Sequence, residues 1–249
     1  ATVGLSIIAT IEEIELESNP VLNSHSIKKY FGGGISPGDW QQIAQASGKI
    51  LRDMSNFSLA KSFAELWFKG SSKRESDFAK ATKEFVQLKN DYKHDRGPKT
   101  PLEFEKSSNT LQKLLDYCYD QLSFFVKYPI RLIQKIDIDW QTNESIFDTL
   151  VFVGDHQGLT QENINYPKPL PTGKLFITAK TDFWISLYPF VNVQYCSSCK
   201  FRETYFVDRW DSSKTILKSF ERGHTHENDD DALLVADDLN YWLKTKIGA

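Results

Sequence analysis

The stretch that decides the fold runs from residue 107 to residue 138 and reads SSNTLQKLLDYCYDQLSFFVKYPIRLIQKIDI. The apolar residues of its first part are spaced by alternating steps of four and three: Leu111, Leu115, Cys118, Leu122 and Phe125. This spacing predicts a helix from Ser107 to Val126 with a narrow seam suited to helix packing. Pro129 ends the pattern, and Ile130 to Ile138 is rich in β-branched residues, which indicates a strand. The chain therefore changes from helical to β near Tyr128.

Further helix signals lie before this stretch. Ser36-Pro37-Gly38-Asp39 is a typical helix start, with an N-cap candidate, proline at the first helical position and an early acid. Two more helices are predicted, from Ser58 to Phe68 and from near Lys73 onward. Gly97-Pro98-Lys99-Thr100-Pro101 is a linker that cannot continue a helix. A helical bundle over residues 1–128 is the economical way to bury these apolar faces.

The second half carries short runs of β-branched and aromatic residues separated by turn residues. Asp229 to Asp231 then begin a last helix, where acids favour the positive end of the helix dipole. The expected fold class is α+β. We expect an N-terminal helical bundle, and over residues 129–249 a small antiparallel β sheet or partly open barrel closed by a C-terminal helix.

Composition limits the classes of function. The chain has 249 residues, of which 40% are hydrophobic, enough for a substantial core. Its formal net charge of -3 gives no overall attraction to nucleic acid, so any such contact needs a local patch. No apolar run reaches the roughly 20 residues that span a bilayer, and the first ten residues lack the basic flank of a secretion signal. Three cysteines do not make a disulfide framework, so a cytoplasmic location is expected.

One polar cluster ends a predicted amphipathic helix, in the stretch Leu88-Lys89-Asn90-Asp91-Tyr92-Lys93-His94-Asp95-Arg96-Gly97. Asn90 and His94 are four apart, so they lie on one face of the helix. A histidine of near-neutral pKa can exchange the proton that 2′-hydroxyl attack on RNA requires, without a metal. Lys89 adds a positive charge that could hold a phosphodiester. The alternative is an ordinary solvated helix end, where basic residues favour the dipole.

This stretch resembles the Arg-Asn-x-x-x-His signature of HEPN domains, helical modules that often act as metal-independent RNases, with Lys89 in place of the arginine. The resemblance implies a homodimer in which Lys89, Asn90 and His94 form the polar catalytic triad. Lysine keeps the charge of arginine but loses its forked donor geometry. Two interpretations follow, a homodimeric endoribonuclease effector and a non-catalytic or weakly active sensor or interaction module. The missing arginine and the acidic net charge favour the module.

The order of motifs is also similar to regions of multidomain bacterial signalling and defence proteins. These motifs include Gly38-Asp39-Trp40, the Lys89 to His94 stretch and Cys196-x-x-Cys199. The resemblance implies that the chain is a C-terminal part of a larger protein. The expected partners are a second copy, RNA, and an upstream domain or partner protein.

A second cluster combines Cys196-Ser197-Ser198-Cys199 with His224 and His226. Two cysteines three apart form one half of a zinc knuckle, and the two histidines could complete a tetrahedral site. In an extended segment both rings of a His-x-His pair lie on the same side. Structural zinc sites contribute to folding rather than to chemistry. A further interpretation is therefore a zinc-stabilised module that binds a ligand or nucleic acid. The cysteines could instead be small hydrophobic residues or a redox pair.

Overall fold

The chain folds as an α+β protein of helices and two antiparallel sheets. The structure, a computed structural model, describes residues 1–10, 19–53, 58–70, 74–121, 123–152, 160–179, 183–211, 214–227 and 230–246. Contacts divide the chain into two compact units. The helical unit comprises Ser36–Phe124 together with Ala1, and the sheet unit comprises Thr2–Ile35 and Phe125–Ala249. The predicted boundary near Tyr128 lies close to the point between Phe124 and Phe125 where the chain leaves the helical unit. Residues 2–35, which were predicted to belong to the helical bundle, group with the sheets.

The helical unit contains four long helices: α3 (Pro37–Arg52), α4 (Ser58–Trp67), α5 (Asp77–Lys93) and α6 (Pro101–Gln121). Helices α3, α4 and α5 pack on one another, and α6 packs along α5. At Gly48 of α3 a Cβ atom would lie 2.9 Å from Cδ1 of Trp67, the shortest such distance among the glycines of the described residues. Phe78 meets the same indole edge-on at 5.3 Å. Glycine at position 48 therefore lets α3 and α4 pack in close contact.

Caps fix the ends of these helices. Ser36 and Asp39 form a reciprocal capping box with Pro37 inside the first turn, so the predicted start of α3 is confirmed. The predicted start of the long helix at Ser107 is wrong, because α6 already begins at Pro101. Proline is well suited to a first helical turn, and Glu103 accepts hydrogen bonds from the N–H groups of Lys99 and Thr100. Leu122, part of the predicted seam, lies outside the described residues.

Within its described residues the sheet unit contains two antiparallel sheets, whereas one was predicted. Its helices and strands follow one another along the chain in this order: α1 (Thr2–Thr10), α2 (Ser24–Gly32), β1 (Ile130–Asp139), β2 (Glu144–Phe152), β3 (Thr160–Tyr166), β4 (Leu175–Ala179), β5 (Phe183–Ser186), β6 (Val191–Tyr195), β7 (Arg202–Asp211), β8 (Lys214–Ser219), β9 (Thr225–Glu227) and α8 (Asp230–Lys246). The short helix α7 (Ser123–Lys127) precedes β1. The five-stranded sheet has the order β3-β2-β1-β4-β5 and the four-stranded sheet the order β6-β7-β8-β9. The run predicted as one β segment, Phe183 to Tyr195, is thus two strands in different sheets.

Each sheet buries one face. In the five-stranded sheet a core cluster is formed by Ile133, Phe147, Phe176 and Trp184. In the four-stranded sheet the buried side chains of the two central strands include Tyr205, Val207, Trp210 and Leu217. Helix α2 packs on β7 and α8 packs on β8. These helices cover one face of the four-stranded sheet, and the candidate metal-ligating residues described below lie at one end of that sheet.

Within the described residues, no helix has both the length and the apolarity that a membrane span requires.

Candidate metal centre

The two cysteines lie in the tight connection between β6 and β7. The backbone N–H of Cys196 donates to the carbonyl of Phe201 at 2.8 Å, and the N–H of Lys200 donates to the carbonyl of Cys196 at 2.9 Å. Lys200 has a φ of 64°, a left-handed conformation that reverses the chain after Cys199. Cys196 is buried and Cys199 is half-buried. The turn therefore places both thiols at the end of the sheet.

Glu203 enters the same place from β7. Its side chain is 0% exposed, because strand alternation puts it on the buried face with Tyr205 and Val207. Its carboxylate accepts hydrogen bonds from Arg222 Nη1 at 2.9 Å, the Tyr205 hydroxyl at 3.0 Å and Cys199 Sγ at 3.2 Å. Burial would raise the pKa of this carboxyl, but these donors outweigh it and hold the pKa at about 2. Glu203 is therefore a buried anion.

His224 arrives from the connection between β8 and β9. The N–H of Ser219 donates to the His224 carbonyl at 2.8 Å, and Gly223 supplies a φ of 69° at the turn. Nδ1 of His224 lies 3.2 Å from Cys196 Sγ and 3.2 Å from each carboxylate oxygen of Glu203. Three separate segments thus bring four ligand residues to one point.

The four ligand atoms all lie within 4.8 Å of one another. A tetrahedral zinc ion, with bonds of about 2.3 Å to sulfur and about 2.1 Å to nitrogen or oxygen, separates sulfur from nitrogen by about 3.6 Å and nitrogen from oxygen by about 3.4 Å. The observed separations of 3.2 Å for both kinds of pair are a few tenths of an ångström smaller. The pairs of His224 with Cys196 and with Glu203 therefore lie near the spacing of one coordinated ion, and the set as a whole spans up to 4.8 Å, against about 3.8 Å between two sulfurs on one tetrahedral zinc.

The surrounding groups favour an anion at Glu203 and at Cys196, whereas burial opposes one at Cys199. The pKa of the Cys196 thiol is lowered to about 6 by the Tyr205 hydroxyl and by the backbone N–H groups of Ser198 and Cys199, against the opposing effect of burial. Burial raises the pKa of the Cys199 thiol. Arg222 Nη1 lies 3.5 Å from Cys199 Sγ and also donates a hydrogen bond to the Glu203 carboxylate. Two thiolates and one carboxylate carry three negative charges, which a divalent ion and Arg222 would together neutralise.

The structure brings together Cys196, Cys199 and His224 of the predicted zinc ligands, and it places His226 outside the cluster. His226 is in β9, buried, with its ring edge-on to Tyr205 at a centroid distance of 4.8 Å. His226 lies outside the cluster because its ring packs against Tyr205 and contributes no donor atom to the gathered set. Glu203 joins the cluster instead. The sequence does contain a signal for Glu203, because it alternates with period two with Tyr205 and Val207 and is therefore an acid at an inward-facing position of the strand.

The residues of the HEPN-like motif lie in the helical unit, at the end of α5. His94 is the C-cap of α5, and its N–H donates to the carbonyl of Asn90 at 3.0 Å. Lys89 and His94 are exposed and Asn90 is half-buried. Lys89 also lines an apolar groove of about 690 Å³ between α5 and α6, with Phe85 and Phe104 among its walls.

Comparison with known proteins found no match among protein-family models, curated proteins or solved structures. Function must therefore be inferred from the geometry of these side chains.

Proposed function

We propose that Cys196, Cys199, Glu203 and His224 bind one zinc ion, and that the sheet unit is a zinc-stabilised binding module. The observation that carries this proposal is the convergence of four ligand atoms within 4.8 Å at the end of one sheet. Two sulfurs with one imidazole form a ligand set that suits zinc, whereas magnesium and calcium prefer oxygen ligands.

The arrangement favours a structural ion over a catalytic one. Structural zinc sites take four protein ligands, whereas catalytic sites keep one position for water. Here Glu203 supplies the fourth donor, and Tyr205 and Arg222 hold its carboxylate in place by hydrogen bonds. Such outer partners orient metal ligands and raise metal affinity. The ion would tie the β6–β7 connection to the β8–β9 connection, and so contribute folding free energy.

Metal analysis of the purified chain tests this proposal. Protein prepared without chelator should contain about one equivalent of zinc, as a tight structural site does. Cys199→Ser should lose the zinc, while Cys118→Ser, which changes a free cysteine of α6 outside the cluster, should retain it. A wild-type content below about a tenth of an equivalent after zinc supplementation overturns the proposal, and an equivalent of iron overturns the identity of the metal.

Cobalt substitution gives an independent readout of geometry. A tetrahedral cobalt site with thiolate ligands has intense visible bands and sulfur charge-transfer bands in the near ultraviolet. The Glu203→Gln variant should keep the thiolate bands and bind the ion more weakly, because it removes one negative donor and leaves both cysteines. Octahedral spectra would contradict the four-coordinate site.

The HEPN-like interpretation of the helical unit is a second proposal, favoured by the exposure of Lys89 and His94 at the end of α5. In it, an N-terminal helical bundle dimerises in the cytoplasm as a sensor or interaction module of a bacterial signalling or defence system. Its catalytic version is a metal-independent endoribonuclease, with His94 as acid and base and Lys89 as phosphate anchor.

One assay separates the two versions. Purified wild-type protein and His94→Ala are incubated with mixed RNA in EDTA. Cleavage that survives chelation and disappears in the variant supports the enzyme, since no metal is then required. RNA that stays intact with both proteins rejects the enzyme and leaves the interaction module. Size-exclusion chromatography with light scattering tests the dimer.

A further inference from the structure

One face of the four-stranded sheet is open to solvent. Strand pairing places Tyr195 opposite Arg202, and Phe206 opposite Lys218. The ring of Phe220, directly after β8, lies 4.7 Å from that of Phe206. We call these five residues the aromatic face. Arg202 and Phe206 alternate along β7 with its buried residues, and strand pairing puts Tyr195 and Lys218 on the same side as these two. Helix α2 packs on β7, so the aromatic face lies on the other side of the sheet from that helix.

Two of the three aromatic rings of this face are exposed, and Phe206 between them is half-buried. Tyr195 is 64% exposed and Phe220 is 61% exposed. Burying large apolar side chains is favourable, so exposed rings grouped on one sheet face indicate an interaction surface. Adjacent strands lie about 4.8 Å apart, so β6 and β8 are separated by about 10 Å across β7. The two exposed rings can therefore each contact a different planar group.

Positive charge accompanies the rings. The guanidinium of Arg202 lies over the Tyr195 ring at 5.0 Å, and Lys218 is exposed. Within the part of the chain that the structure describes, neither cation forms an ion pair with a carboxylate. The acid nearest in sequence to Phe220, Glu221, accepts the N–H of Thr204 with both carboxylate oxygens at 3.0 Å. The face thus combines solvent-facing rings with cations available to an anionic ligand.

We propose that the aromatic face binds single-stranded nucleic acid, with bases stacked on Tyr195 and Phe220 and phosphates held by Arg202 and Lys218. Every base has an apolar ring face that stacks on an aromatic side chain, and phosphates are attracted to cations. Duplex bases are already stacked on each other, so only unpaired bases can use these rings. Arg202 and Lys218 form the local basic patch that a chain of net charge -3 needs in order to attract nucleic acid.

Single-stranded nucleic acid would be the ligand of the zinc-stabilised module, and this inference rests on that proposed function for the position of the β6–β7 connection. The proposed ion would hold the connection from Cys196 to Cys199, which separates Tyr195 on β6 from Arg202 on β7. Zinc would therefore fix the positions of a ring and a cation that contact the ligand.

Fluorescence anisotropy on the full chain tests the inference, with labelled twelve-nucleotide oligo(U) and oligo(dT) probes and a mixed-sequence duplex of the same length. Single strands should bind more tightly than the duplex. Tyr195→Ala should weaken single-strand binding about tenfold, while Tyr195→Phe should retain it because the ring remains. Trp140→Ala is the matched control, since Trp140 is 86% exposed but lies between β1 and β2 in the other sheet, and binding should be unchanged.

The salt dependence provides a second readout that does not depend on stacking. The slope of log affinity against log salt should become shallower by about 0.7 for each phosphate that a variant no longer neutralises. Lys218→Gln should show this reduction, whereas Lys168→Gln, an exposed lysine between β3 and β4, should keep the wild-type slope.

Four outcomes overturn the inference: no binding of either single strand, equal or tighter binding of the duplex, retention of full affinity by both Tyr195→Ala and Phe220→Ala, or an unchanged slope in Lys218→Gln. Metal content is measured on the same samples. Zinc-loaded protein that binds no oligonucleotide overturns this inference alone, and protein that lacks zinc but binds single strands overturns the proposed metal centre alone.

Discussion

The pair His224→Ala and His226→Phe gives the sharpest test of the metal centre, because the two histidines are two residues apart and only one reaches the cluster. Nδ1 of His224 lies 3.2 Å from Cys196 Sγ, within the ligand set. His226 packs edge-on against Tyr205 at 4.8 Å and lies outside the ligand set. Phenylalanine at 226 keeps a ring in that position. We expect His224→Ala to weaken zinc binding and His226→Phe to leave it unchanged.

The magnitude follows from the number of donors. Structural zinc sites bind with about 12 kcal/mol, or about 3 kcal/mol for each of four donors. At 1.4 kcal/mol per tenfold, losing the imidazole should raise the Kd for zinc by about 100-fold. Free zinc at about 100 times the wild-type Kd stabilises the folded state by about 2.7 kcal/mol. The same zinc concentration equals the Kd of His224→Ala, so the stabilisation falls to about 0.4 kcal/mol.

The assay is urea unfolding followed by circular dichroism, once in buffered zinc and once in EDTA. The difference between the two free energies of unfolding isolates the contribution of the metal from any change in the stability of the metal-free protein. Wild type and His226→Phe should each show the full zinc-dependent increment, and His224→Ala should lose most of it. The reasoning is refuted if His226→Phe loses as much as His224→Ala, or if His224→Ala keeps the wild-type increment.

Two further predictions concern the helical unit. Gly48→Ala should lower its stability by about 1–3 kcal/mol in thermal unfolding, because the new Cβ would lie 2.9 Å from the Trp67 ring; Gly38→Ala in the same helix meets only ordinary contacts and should cost less. The backbone N–H groups of Lys99 and Thr100 donate to the Glu103 carboxylate and lower its pKa. The cap that Glu103 gives to α6 is therefore fully present above the ordinary glutamate pKa of about 4.3, and it is lost as the pH falls through the lowered pKa. Helix content measured by circular dichroism from pH 6 to pH 2 should therefore fall more in wild type than in Glu103→Gln, and equal losses would contradict this cause.

The ends of helices could be predicted from sequence where one local rule applied. The capping box at Ser36 combines an N-cap, a proline and an acid, and the structure confirms that start. At Pro101 two local rules compete, since proline both ends a helix and favours a first turn. The acid at Glu103 decides between them, because it completes a capping box with Thr100. Helix α5 ends at Lys93 and α6 begins at Pro101, so seven residues separate the two helices.

The sheets were less predictable, because strand pairing depends on contacts distant in the sequence. Strand β3 (Thr160–Tyr166) is mostly exposed and polar, and it is an edge strand held by pairing with β2. Three of its seven residues are β-branched or aromatic, and the other four are Gln, Glu and two Asn, polar types that are poor strand formers. Likewise, the two sheets of this unit are separated by the short connection between β5 and β6, which the composition of the run from Phe183 to Tyr195 does not reveal.

The candidate metal site was predictable in its cysteines and less so in its other donors. A Cys-x-x-Cys turn is a local feature, so Cys196 and Cys199 stand out in the sequence. Glu203 is recognisable only when the strand face is known, because its inward position follows from the alternation of β7. The choice between His224 and His226 depends on where β9 begins, and no composition rule fixes that residue.

The segment that holds the four candidate ligands is short, and this bears on how the protein reaches its native state. Cys196 and His224 are 28 residues apart, and all four donors lie within this interval. The entropy lost on closing a loop grows only with the logarithm of its length, so a cross-link across this interval is inexpensive. During synthesis the full donor set exists before the last helix has been translated. An ion captured at that moment would organise three strands into a nucleus, on which α8 could then dock.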